Sequence, residues 1–61
     1  MPIVRVELWT GRTHQQKSEL AKAITDAVVK IAKTSADQTI VIFEDTDKEN
    51  WAQNGKLASD M

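Results

Sequence analysis

Pro2 stands directly behind Met1 and is the only proline in the chain. Removal of Met1 would turn its nitrogen into a free secondary amine. An α-amino group has a reference pKa of about 7.7–8.0, and a modest depression by burial or neighbouring cations would bring it to where a general base works best. Such a group takes a proton from one atom and returns it to another near neutral pH. A proline can also occupy position 2 with no chemical role, so the rest of the chain has to decide.

The chain has 61 residues, the length of a single domain. A domain this short buries only about 60% of its unfolded surface, so its own core is marginal. It contains no cysteine and one histidine, which argues against disulfides and against a structural zinc site. Oligomerisation is the remaining common remedy for a small core. Eight Lys and Arg against nine Asp and Glu give a formal net charge of −1, with no basic block. That balance speaks against nucleic acid as a partner. No signal-type apolar run opens the chain, and no stretch approaches the roughly 20 apolar residues of a membrane span. A soluble, cytoplasmic protein is expected, with no linker, repeat or low-complexity tract.

Ile3–Trp9 alternates with period two, placing Val4, Val6 and Leu8 on one face and Ile3, Arg5, Glu7 and Trp9 on the other. This is a strand. Thr10 and Gly11 break the run, and Thr13-His14-Gln15-Gln16 has the form of a capping box, predicting a helix from about His14. Leu20, Ile24, Ala27, Val28 and Ile31 then recur at three- and four-residue steps through Lys33, giving that helix one apolar face. Thr34–Gln38 ends it, and Thr39–Phe43 reads as a second strand. A helix of about 20 residues spans roughly 30 Å, enough to bring the second strand back parallel to the first. The unit is a right-handed βαβ crossover, an α/β fold with two parallel strands and one long helix. Asn54-Gly55 predicts a short C-terminal hairpin. One helix covers only one face of the sheet, so the other calls for a second subunit.

Other polar residues carry weaker signals. Glu44, Asp45, Asp47 and Glu49 read as a solvated loop, without the spacing of a calcium site. No phosphate-loop pattern surrounds Gly11. His14 is assigned to an exposed first helical turn and Trp9 to packing. Composition alone leaves Arg12 as a solvated side chain and Trp51 as an oligomer anchor.

The opening Met1-Pro2-Ile3-Val4, the Gly11-Arg12-Thr13 turn, Gln16-Lys17, and the tail Lys48-Glu49-Asn50-Trp51 with Gly55-Lys56-Leu57-Ala58-Ser59 together resemble the 4-oxalocrotonate tautomerase family over the whole chain. The resemblance implies βαβ chains assembled as homo-oligomers, usually hexamers, that use no metal or organic cofactor. It implies an enol–keto tautomerase of 2-hydroxydienoates such as 2-hydroxymuconate, or of phenylenolpyruvate-like acids. Pro2 would be the base and then the acid, Arg12 the carboxylate-binding arginine, and Trp51 the aromatic wall. The chemistry suits these residues: one amine can serve both proton transfers, and a guanidinium grips a carboxylate bidentately.

Two positions depart from the family pattern. Its best-studied members carry a second arginine at the start of the second strand, where this chain has Ile40, and a glycine-rich run is here Ala52-Gln53-Asn54-Gly55. Two further readings stand beside the tautomerase: a proline-dependent hydratase or dehalogenase of the same superfamily, and a non-catalytic oligomeric binding module.

Overall fold

A computed structural model describes residues 1–61. Strand β1 spans Ile3–Trp9, helix α1 His14–Ala32 and strand β2 Ile40–Thr46, and β1 and β2 pair in parallel from Ile3 opposite Ile40 to Trp9 opposite Thr46. The expected capping box starts α1. The Gln16 amide donates to the Thr13 hydroxyl at 3.1 Å, and the Thr13 amide donates to the Gln16 side chain at 2.9 Å. Lys33 ends the helix in the left-handed region, φ 59°, and one 3-10 turn, Ala36–Gln38, leads into β2.

β2 extends three residues past the predicted Phe43, so Glu44 and Asp45 belong to the sheet rather than to a loop. Their charges are matched across the fold. Arg5 Nη1 lies 3.3 Å from Glu44 Oε1, and Lys17 Nζ pairs with Asp45. These pairs also fix the faces of the sheet. Residues opposite each other in a parallel pair share a face, and alternate residues face opposite ways. Lys17 of α1 reaches Asp45, so α1 covers the face of Val4, Val6, Leu8, Val41 and Phe43, all half-buried. Ile3, Arg5, Glu7, Ile40, Ile42 and Glu44 lie on the face without a helix.

Beyond β2, a 3-10 turn at Lys48–Asn50 precedes a hairpin of β3, Ala52–Gln53, and β4, Lys56–Leu57. Asn54 and Gly55 both have positive φ, 54° and 77°, the type I′ geometry that an Asn-Gly pair favours. The Ala58 amide donates to the Trp51 carbonyl at 2.7 Å, folding the tail back, and Ala58 is the one buried residue. Ile3 is 52% exposed and Ile31 78%.

The chain measures 42 × 24 × 14 Å with a radius of gyration of 14.5 Å. A compact domain of this length would have a radius near 10.5 Å. Its accessible surface, 4781 Å², exceeds by about 800 Å² that of a compact monomer of equal mass.

Candidate active site

Pro2 precedes β1 by one residue and is held through its backbone. The Ile40 amide donates to the Pro2 carbonyl at 3.0 Å, extending the parallel ladder by one bond. The ring nitrogen takes no part in that ladder, because a prolyl peptide nitrogen carries no hydrogen. Pro2 is half-buried while Met1 is 79% exposed. Ile40, the position where the family resemblance leads one to expect an arginine, is therefore the immediate neighbour of Pro2 across the sheet.

Arg12 and Trp51 sit at the other end. The Thr10 amide donates to the Thr46 carbonyl at 3.1 Å, and the Thr10 hydroxyl donates to Asp47 at 2.6 Å. The turn after β1 is thus tied to the loop after β2. Gly11 then turns the chain with φ 130°, a conformation that side chains strongly disfavour. A Cβ there would meet nothing within 4 Å, so the requirement is one of backbone angle rather than of space. Arg12 follows, exposed and without a hydrogen bond or ion pair, and Thr13 caps α1.

Trp51 packs edge-on against Trp9, with centroids 5.9 Å apart and planes at 78°. The Lys48 ammonium lies 4.8 Å from the centre of the Trp9 ring. The Trp9 indole nitrogen is buried without a partner. Trp9 thus packs, as expected, but its partner is Trp51 and its ring carries a cation. Sequence reasoning gave Lys48 no role of its own. Its place over Trp9 depends on β1 and β2 ending side by side, which no local spacing announces.

Within one chain the expected site residues form two groups. Arg12 and Trp51 share the end of the sheet where Trp9 and Thr46 lie, whereas Pro2 is at the opposite end, separated by the seven residues of β1, roughly 23 Å of extended chain. No small enol acid spans that length. The chain by itself encloses no pocket. No three His, Asp or Glu side chains come together in a metal-binding group, and His14 is exposed at the first position of α1.

Comparison with known proteins gives a consistent set of relatives. The family model described as tautomerase enzyme matches residues 2–61. The chain is 38% identical over 61 residues to 2-hydroxymuconate tautomerase of Bacillus subtilis (strain 168), covering 100% of this chain and 98% of the relative. Its fold matches the crystal structure of YwhB, a homologue of 4-oxalocrotonate tautomerase, with a TM-score of 0.95, 37% identity and 98% of each chain covered. A heterohexameric 4-oxalocrotonate tautomerase from Chloroflexus aurantiacus J-10-fl shares the fold, with a TM-score of 0.93 at 23% identity over 100% of this chain and 98% of that one. No helix is long and apolar enough to cross a membrane.

Proposed function

This chain belongs to the tautomerase enzyme family and is an isomerase; from that membership we propose that residues 1–61 form a single domain catalysing enol–keto tautomerisation of 2-hydroxydienoates or related enol acids, with the Pro2 amine as proton shuttle. The observation that carries the reading is the setting of Pro2. Its carbonyl is anchored to Ile40, its nitrogen is free of the sheet, and the Met1 ahead of it is open to removal. A freed secondary amine at that point removes the enol proton and delivers a proton to carbon, the two transfers that tautomerisation requires.

Arg12 is the carboxylate-binding residue in this reading. Its guanidinium has no protein partner, and the fork of donors matches a carboxylate. Trp51 supplies an apolar wall that excludes water. Because Pro2 and Arg12 lie at opposite ends of β1, the site joins the Pro2 end of one protomer to the Arg12 and Trp51 end of another. The elongated shape and the sheet face without a helix support a homo-oligomer, and the six-chain assembly of the Chloroflexus relative makes a hexamer the form to expect.

The neighbours of Pro2 in the sheet, Ile3 and Ile40, offer no group to activate water, which favours tautomerisation over hydration or dehalogenation. Ultraviolet monitoring of 2-hydroxymuconate and phenylenolpyruvate ketonisation tests the reading, using protein whose N-terminus is established by mass spectrometry. Turnover by the chain beginning at Pro2 is expected. No turnover of either enol by that chain would leave a binding module in its place.

A further inference from the structure

Three of the eight basic side chains are matched to carboxylates: Arg5 to Glu44, Lys17 to Asp45 and Lys22 to Asp26. Arg12 and Lys48 are not. Both belong to loops leaving the same end of the sheet, and those loops are joined by the 2.6 Å hydrogen bond from Thr10 to Asp47. Arg12 lies two residues after Thr10, and Lys48 directly follows Asp47. No nearby carboxylate forms an ion pair with either cation: Asp47 accepts from Thr10, Asp45 is bound by Lys17, and Glu49 pairs with no base.

Lys48 is also positioned. Its ammonium stands 4.8 Å over the Trp9 ring, and that ring meets Trp51 edge-on at 5.9 Å. A cation held on an aromatic face keeps its remaining hydrogen-bonding directions for an anion. One end of the chain therefore presents two uncommitted cations on adjoining loops beside an aromatic pair. At the other end Ile40 offers no charge next to Pro2.

We infer that Lys48 is a second carboxylate-binding residue, which with Arg12 selects enol acids bearing two carboxylates. This rests on the reading of Arg12 and Trp51 as parts of the substrate site. A dicarboxylate places one anionic group on Arg12 and the other on Lys48, and the conjugated chain between them runs along the Trp9–Trp51 pair. A monocarboxylate engages Arg12 alone and gains nothing from Lys48. The second cation comes from the loop after β2, where a lysine provides a point charge rather than a fork.

The test compares 2-hydroxymuconate, with two carboxylates, and phenylenolpyruvate, with one, in the wild-type, Lys48→Met and Lys48→Arg proteins. Lys48→Met should raise KM for the dicarboxylate about tenfold, the scale of a charge-assisted contact, and change KM for the monocarboxylate less than twofold. Lys48→Arg should keep the wild-type preference. The dicarboxylate KM should also rise more steeply with salt in the wild type than in Lys48→Met. An equal loss on both substrates would assign Lys48 to packing on Trp9 and overturn the inference, as would no loss on either. Failure of the underlying site reading looks different: Arg12→Ala would then match the wild type on both substrates.

Discussion

In the proposed mechanism Pro2 is the central residue, and its amine would set the pH dependence. Only the unprotonated amine accepts the enol proton, so kcat/KM should fall as pH drops through the amine pKa. That acidic limb should lie below the ordinary α-amino range of about 7.7–8.0. A limb at or above that range would remove the expected depression. Arg12 is exposed and unpaired, so Arg12→Ala should lower kcat/KM for carboxylated enols at least tenfold while the melting temperature stays within about 2 °C. Ile40 neighbours Pro2 across the sheet, so Ile40→Arg should raise turnover of 2-hydroxymuconate by placing a cation beside the amine. Unchanged turnover would show that position 40 does not reach the substrate. The sequence nominated Pro2, Arg12 and Trp51 as site residues only through their combination, since each residue alone has an ordinary structural explanation. Lys48 was not legible, because its environment is made by strand ends far apart in the chain.

At the scale of elements, local signals placed the helix start and the hairpin. Thr13 with Gln16, and Asn54 with Gly55, satisfy their backbones within four residues, so sequence alone locates them. The end of β2 escaped because its last three residues are polar and are held by long-range partners: Arg5 pairs with Glu44, Lys17 with Asp45, and Thr46 accepts from Thr10. Thr13→Ala should cost about 1 kcal/mol of stability through loss of the cap, read as a shift in the denaturation midpoint. Gly11→Ala forces a side chain into φ 130°. The strain should displace the turn and weaken substrate binding through Arg12, raising KM more than it lowers kcat. A KM equal to that of the wild type would show that the turn does not position Arg12.

The whole molecule is shaped as part of something larger. An extended outline, an excess of about 800 Å² of surface over a compact monomer and a sheet face bearing Ile3, Ile40 and Ile42 without a helix point to partners. Sedimentation should find no stable monomer at micromolar concentration, and Ile42→Asp should prevent assembly by burying an unpaired charge. The uncovered sheet face was legible, since one helix cannot cover two sheet faces. The split of the proposed site residues between the two ends of β1 was not, because it appears only once the strand is laid out at full length. The central claim is that Pro2 of one protomer works with Arg12 of another, and co-assembly of two defective chains tests it most directly. One chain carries a short N-terminal extension that leaves Pro2 an amide, and the other carries Arg12→Ala. Each alone should turn over 2-hydroxymuconate poorly, whereas oligomers co-expressed from equal amounts should recover about a quarter of wild-type activity, the random share of sites receiving both intact residues in a closed symmetric assembly. Mixed oligomers, verified by native mass spectrometry, that are no more active than either parent would contradict it.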